Sequence, residues 1–340
     1  MNIKELVKYL DITAQAKLVP FIQGSPGIGK SDVVRTIANK YKLKMIDVRL
    51  SQCDPTDLNG LPKLDGDRAT FLPFDTFPLE DTPLDKGYNG WLIFLDEINS
   101  ASKSVQAAAY KLILDRMVGQ HKLHKNVVIM CAGNKETDNA IVNPISTALR
   151  SRFITLPLEP DADIWLDWAH ANGIDWRVTA YIHYKKLDGL YDFDPEESDN
   201  VYACPRSWAM LSKLLKFIPK GKEEEYQNLI QGTIGNQAIL FAEFCNYSNN
   251  IPKIEDIING VTVDASPYNI GQRYLIASTL ISNANLITSE AKAKNVINFL
   301  DELGKEYSVP FYLSVNRINK EILKYNVISS KMREFAVWLN

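Results

Sequence analysis

Gly24-Ser25-Pro26-Gly27-Ile28-Gly29-Lys30-Ser31 decides how the rest of this sequence is read. It has the form G-x-x-x-x-G-K-S, the phosphate-binding loop known as Walker A. Glycines at these positions let backbone N–H groups turn inward and approach phosphate oxygens that a side chain would hold off. Lys30 supplies a compact positive charge for the β- and γ-phosphates, and the Ser31 hydroxyl is a ligand for Mg²⁺. The flanks agree with this reading. Residues 18–22 form a short apolar run that predicts a buried strand, and Val33, Val34, Ile37, Ala38 and Tyr41 recur at helical spacing behind the loop. A helix starting there aims its free N–H groups and positive dipole end at an anion. The stretch predicts a nucleotide site.

A second stretch completes the chemistry. Trp91-Leu92-Ile93-Phe94-Leu95-Asp96-Glu97 is a continuous apolar run ending in two acids. That pattern predicts a buried parallel strand delivering carboxylates to the edge of a sheet, the Walker B form. Asp96 is placed to hold Mg²⁺, directly or through water, and Glu97 to orient or deprotonate an attacking water. Residues 127–132 predict another buried strand, with Asn134 at its tip, where a polar group could touch the γ-phosphate or the water. Asn134-Lys135-Glu136-Thr137-Asp138 resembles the guanine-reading N-K-x-D, but the acid falls one residue late, so guanine specificity is rejected. Arg150 and Arg152, beside the short strand at 153–156, are candidates for an arginine that stabilises charge on the phosphoryl group of a neighbouring subunit. A solvated or salt-bridged role is the alternative for both.

Composition narrows the class. The chain has 340 residues, 46% hydrophobic and 23% charged, with a net charge of −3. That is ordinary for a globular protein, long enough for two or three domains, with no general basic footprint for nucleic acid, though a local basic patch remains open. Cys53, Cys131, Cys204 and Cys245 are too scattered for a zinc site and predict reduced, mostly buried thiols. No signal peptide or membrane-spanning run is evident, so the expected location is cytoplasmic.

Elsewhere the pattern is coarser. Residues 2–10 predict a short amphipathic helix, and residues 44–50 a second strand. Asp54 before Pro55 predicts a helix start. Residues 61–90 suit a small hairpin and an exposed loop. A helix is expected from Ser104 to Met117 with Gly119 closing it, followed by a polar turn in which His121 and His124 are read as solvated residues, not metal ligands. After residues 157–160 the strand signal fades, residues 188–203 look acidic and loop-like, and the chain to residue 338 carries mainly helical periodicity. Pro205-Arg206 opens one of these helices.

In this order the motifs resemble those of the AAA+ ATPases, and within them the MoxR group with its CbbQ, NorQ and dynein/midasin-related relatives. Asp57-Leu58-Asn59-Gly60 is similar to that group's D-L-x-G. The insert at roughly 61–80, with Phe71 and Phe74, looks like its hairpin within helix 2, and residues 117–126 look like its hairpin before sensor 1. The resemblance covers about residues 15–245. It implies an α/β fold, a P-loop AAA+ parallel sheet sandwiched by helices, followed by an all-helical lid and a helical C-terminal extension. The expected partition is 1–158, 159–249 and 250–340.

The resemblance further implies ATP and Mg²⁺ as ligands, the loop from Gly24 through Ser25, Pro26, Gly27, Ile28 and Gly29 to Lys30 and Ser31 around the phosphates, and Ser31 and Asp96 on the metal. It makes Glu97 the catalytic base, Asn134 sensor 1, Arg152 the arginine finger with Arg150 as runner-up, and Arg206 sensor 2. It also implies an ATP-hydrolysing ring, most simply a homohexamer, that remodels a client protein. A protein with a von Willebrand factor A domain is the expected partner. A nucleic-acid motor or loader and a nucleotide-gated scaffold are the alternatives.

Overall fold

The computed structural model describes residues 1–138, 143–197 and 200–336, and the chain divides into two compact units. One comprises Met1–Pro160 with Asp194–Ser198, and the other comprises Asp161–Phe193 with Asp199–Asn340.

The first unit is built on a five-stranded parallel sheet. Its strands are β1 (Val19–Gln23), β2 (Leu43–Arg49), β5 (Gly90–Asp96), β8 (Val127–Gly133) and β9 (Phe153–Pro157), in the spatial order β2-β5-β8-β1-β9. Two small antiparallel hairpins stand apart from it: β3 (Leu61–Asp65) with β4 (Arg68–Leu72), and β6 (Met117–Val118) with β7 (His121–Lys122). Trp91 through Leu95 are all buried, because helices cover a parallel sheet on both faces and leave no solvent side for a polar residue. The register pairs Arg49 with Asp96, Leu95 with Cys131 and Gln23 with Gly133, which brings the carboxyl ends of the strands to one edge. That edge is where an open α/β sheet binds ligands.

Among the described residues, five helices accompany the sheet: α1 (Ile3–Gln15), α2 (Lys30–Tyr41), α3 (Pro55–Asn59), α4 (Lys103–Leu114) and α5 (Thr147–Arg150). A capping box starts α1: Asn2 accepts from the Glu5 N–H at 3.0 Å, and Glu5 accepts from the Asn2 N–H at 3.2 Å. Leu6 and Leu10, one turn apart, are on the buried face of α1. Asp54 precedes α3 as expected, with Pro55 in its first turn.

Two expectations are corrected here. The helix predicted to run to Met117 stops at Leu114 with Asp115 as its C-cap. Met117 pairs instead with Lys122 across the β6–β7 hairpin, and Gly119 lies in that hairpin's turn, so it does not close the helix. Of the two histidines read as solvated, His121 is exposed and bonds the Phe71 carbonyl at 3.0 Å. His124 is buried, with its ring edge-on to Trp91 at 5.0 Å and Nδ1 accepting from the Asn126 N–H. An apolar neighbour outweighed the polarity of the surrounding residues.

The second unit is helical throughout its described residues. Its helices are α6 (Ala162–Ala171), α7 (Trp176–Lys185), α8 (Leu187–Leu190), α9 (Pro205–Leu214), α10 (Gln227–Ile234), α11 (Gln237–Asn246), α12 (Ile254–Asn259), α13 (Ile270–Ser282), α14 (Glu290–Leu303), α15 (Lys305–Ile318) and α16 (Asn326–Ala336). Two apolar clusters hold them. One gathers Trp165, Tyr181, Trp208 and Phe241, and the other gathers Ile257, Leu280, Phe299 and Phe311. Helix α13 serves both, giving Leu275 to the first and Ile276 and Leu280 to the second. Residues 337–338, the end of the predicted helical stretch, lie outside the described residues.

Candidate active site

The loop at 24–29 connects β1 to α2, and its first residue is tied to the neighbouring strand: the Gly24 N–H donates to the Gly133 carbonyl at 3.2 Å. At its far end Gly29 has φ +96°, a conformation that side-chain-bearing residues seldom adopt, and this turns the chain into α2 without a side-chain cap. The N–H groups of the first turn of α2 therefore have neither an intrahelical acceptor nor a capping oxygen, which is the condition of an anion-binding helix start. Lys30 folds back over the loop. Its Nζ donates to the Gly24 carbonyl, to the Ser25 carbonyl at 3.1 Å and to Asn134 Oδ1 at 3.0 Å.

The two acids of β5 take different positions. Asp96 Oδ2 accepts from the Ser31 hydroxyl at 3.2 Å, and Oδ1 accepts from the Glu97 N–H at 2.9 Å. Burial pushes the Asp96 carboxyl above the usual carboxylate range; the Glu97 N–H, Lys30 and Ser31 oppose that rise, and the Glu97 charge adds to it. A hydroxyl and a carboxylate side by side form a hard-oxygen donor pair, which suits Mg²⁺. Glu97 sits at φ +57°, in the left-handed region, and its carboxylate accepts from the Ser51 hydroxyl. Such a backbone costs about 1–3 kcal/mol for a non-glycine residue and is concentrated at functional positions.

Asn134 is held at both backbone polar groups. The Asn99 side chain accepts from its N–H at 3.1 Å and donates to its carbonyl at 2.7 Å. Asn99 is itself buried and packs so closely that a Cβ on Gly133 would lie 2.3 Å from Asn99 Oδ1. The strand tip that carries Asn134 is thus fixed by a side chain arriving from the segment after β5.

Lys30, Ser31, Asp96 and Asn134 are joined by the bonds above at one sheet edge, and Glu97 follows Asp96 directly. The arginines stand differently. Arg150 ends α5 and pairs with Glu136, and the exposed Arg152 lies over the Tyr110 ring at 5.6 Å and donates to Ser151 Oγ at 3.3 Å. Tyr110 also lines an open cleft of about 510 Å³ with Lys103, Gln106, Pro144, Ser146 and Leu149. Arg206 lies in the first turn of α9, in the helical unit.

Three residues at this edge escaped the sequence reading: Ser51, Asn99 and Asp138. The first two carry no motif. Asp138 was visible only as the misplaced acid of a guanine signature, yet its carboxylate accepts from the Ser25 hydroxyl of the loop at 3.1 Å.

Residues 20–153 match the family model of the AAA domain, dynein-related subfamily. No curated protein matches the chain. Among solved structures, a candidate ATPase of Cytophaga hutchinsonii is similar over 95% of this chain and 89% of that one, at 14% identity and a TM-score of 0.38. Two point mutants of RuvB from Thermotoga maritima are similar at 16% identity. One of them covers 90% of this chain and 86% of its own at a TM-score of 0.36, and the other covers 85% and 73% at 0.35. The phosphate loop, the acid-ended strand, the order of the parallel sheet and the matched AAA domain agree, and the protein is an ATPase built on an AAA+ domain.

Proposed function

We propose that the protein is a ring-forming remodelling ATPase of the MoxR type, which hydrolyses ATP with a finger arginine from the adjacent subunit. The observation that carries the reading is the bonded set Lys30–Asn134 and Ser31–Asp96 at one sheet edge, with Glu97 next in the chain. In this reading the loop N–H groups and the start of α2 receive the phosphates. Lys30 exchanges its two carbonyl partners for phosphate oxygens, an exchange of neutral for charged acceptors that strengthens each bond. Ser31 and Asp96 hold Mg²⁺, which supplies charge neutralisation on the β- and γ-phosphates when bound. Glu97 aligns and deprotonates the attacking water, and Asn134 contacts the γ-phosphate or that water.

Arg152 completes the constellation in a neighbour's site, with Arg150 as the second candidate. Both are exposed on the surface of their own unit, where a head-to-tail contact between identical subunits can use them, and closure of such contacts gives a ring, most simply a homohexamer. Arg206 would serve as sensor 2. The helical residues 159–249 would act as lid and 250–340 as an extension. The β3–β4 hairpin exposes Leu61, Leu64 and Leu72, and Leu64 is 81% accessible. These side chains suit contact with a client or with a partner bearing a von Willebrand factor A domain. Among the described residues no helix is long and apolar enough to cross a membrane, and we place the protein in the cytoplasm, in keeping with its four free cysteines.

Mixing tests the arrangement. Arg152→Ala and Glu97→Gln are each expected to hydrolyse ATP poorly, and mixed rings should recover part of the rate because some interfaces then hold one intact half from each. No recovery at any ratio, in rings shown to exchange subunits, would sink the finger supplied in trans.

A further inference from the structure

We infer that Asp138 is a positioning residue for the phosphate-binding loop, acting through the Ser25 hydroxyl. The inference rests on the reading of residues 24–31 as the ATP site. Asp138 ends the short helical turn Glu136–Asp138 and is 4% exposed. Its Oδ2 accepts from the Lys135 N–H at 3.1 Å, which fixes the carboxylate on its own turn. Its Oδ1 accepts from Ser25 Oγ, also at 3.1 Å, and Ser25 is itself buried.

The bonds that join the loop to the segment at the end of β8 include Gly24 N–H to the Gly133 carbonyl, Lys30 to Asn134, and Ser25 to Asp138. They fare differently when a triphosphate arrives. Lys30 must redirect at least part of its bonding toward phosphate, and the Gly24 bond sits where the loop leaves its strand. The Ser25–Asp138 bond involves neither the lysine nor the loop N–H groups, so it can persist and hold the middle of the loop in shape through the exchange. Phosphate-binding N–H groups are useful only when aimed together, and ordering them in advance lowers the cost of binding. A residue that shapes the loop in the same way before and during the reaction contributes to ground state and transition state alike. It therefore moves affinity and KM but not kcat.

The test uses the full chain, with MgATP binding measured by calorimetry, steady-state hydrolysis and thermal unfolding for Ser25→Ala, Asp138→Ala, the double variant and Ser25→Thr. Each single alanine variant is expected to raise Kd and KM about tenfold, the scale of one hydrogen bond to a carboxylate, with kcat within about twofold. The double variant should be no weaker than the weaker single, since both remove the same bond. Ser25→Thr keeps the hydroxyl and should restore affinity. Additive losses, a fall in kcat at unchanged KM, or unchanged affinity in Ser25→Ala would overturn the inference. Should Asp138→Ala lose its cooperative unfolding transition, the comparison of Ser25→Ala with Ser25→Thr decides alone. Wild-type protein that takes up no ATP would overturn the nucleotide reading itself, and this inference with it.

Discussion

Two charged groups in the two units make opposite use of being withdrawn from solvent. Lys30, half-buried at the sheet edge, donates to two loop carbonyls and an asparagine amide oxygen. Arg177, 3% exposed in α7, has all five guanidinium N–H groups placed: Nε and one Nη2 proton on Asp175, the other Nη2 proton on the Leu215 carbonyl, and Nη1 on Glu223 and the Ile218 carbonyl. The two carboxylates hold the Arg177 guanidinium protonated against the effect of burial. All five donors of the arginine are committed, two of them to carbonyls and three to carboxylates, although the buried Glu223 Oε2 has no hydrogen-bond partner among the described residues. The three oxygens that accept from the lysine here, two carbonyls and an amide, are neutral and can be replaced by an anion at a gain. A buried charge marks a site when its partners are weaker than the ligand it would bind, and marks a structural joint when they are not.

That contrast can be broken most decisively by exchanging the readouts. Arg177→Ala should destabilise the protein by about 3–5 kcal/mol, because it leaves the fully buried Glu223 without its counter-charge. Lys30→Ala should abolish detectable ATP binding while moving stability by less than about 1 kcal/mol, since the carbonyls it leaves can turn to water. Denaturant unfolding and nucleotide titration on both variants check the pair. If Lys30→Ala unfolds as readily as Arg177→Ala, the phosphate loop is a structural joint too.

Within the site the next effect belongs to Glu97. Glu97→Gln keeps size and an acceptor for Ser51 but removes the basicity, so turnover should fall about 10²–10⁴-fold with ATP affinity retained. Turnover at the wild-type level would assign the water-activating role to another group. Because burial holds the Asp96 carboxyl of the metal-free protein above its usual range, apparent Mg²⁺ affinity should begin to fall, as the pH is lowered, at a higher pH than an exposed aspartate would allow. The sign follows from which form binds metal: a proton on Asp96 competes with Mg²⁺, so affinity for the metal is retained at higher pH and weakens as the pH falls.

Much of this arrangement was legible from residues near one another in sequence. The strand–loop–helix around Gly24–Ser31 and the acid-ended strand at 91–97 declare themselves because backbone geometry and burial demand those residue types in unbroken runs. What the sequence concealed is the set of contacts that span the chain. Asn99 reaches Asn134, Ser51 reaches Glu97 and Ser25 reaches Asp138 only after the parallel sheet has set its register, and a lone Asn, Ser or Asp in a loop looks the same whether it caps, bridges or faces water. Gly119 and His124 were misjudged for a related reason. A two-residue hairpin and a single Trp91 ring decided their environments against the local polar character.

The smallest effect expected sits in the helical unit and sharpens the comparison from the other side, because there a titratable group is neither ligand-ready nor fully satisfied. His183 on α7 is buried, its Nε2 lies 3.2 Å from His170 Nε2 on α6, and its Nδ1 has no hydrogen-bond partner among the described residues. The Tyr274 ring of α13 stacks on it at 6.4 Å. Burial, and then the charges of His170 and Lys186, push its imidazole well below the ordinary value of 6.5. Between the two values the unfolded chain takes up a proton that the folded chain refuses, so stability is fully present above about pH 6.5 and is lost as the pH falls toward the folded value. For a unit of this size each 1 kcal/mol lost lowers Tm by about 2–4 °C. His183→Gln removes the proton-binding group and should flatten the decline of Tm between about pH 7 and about pH 5, even if its Tm at neutral pH is lower. An unchanged decline in the variant would place the acid sensitivity on groups other than the His170–His183 pair.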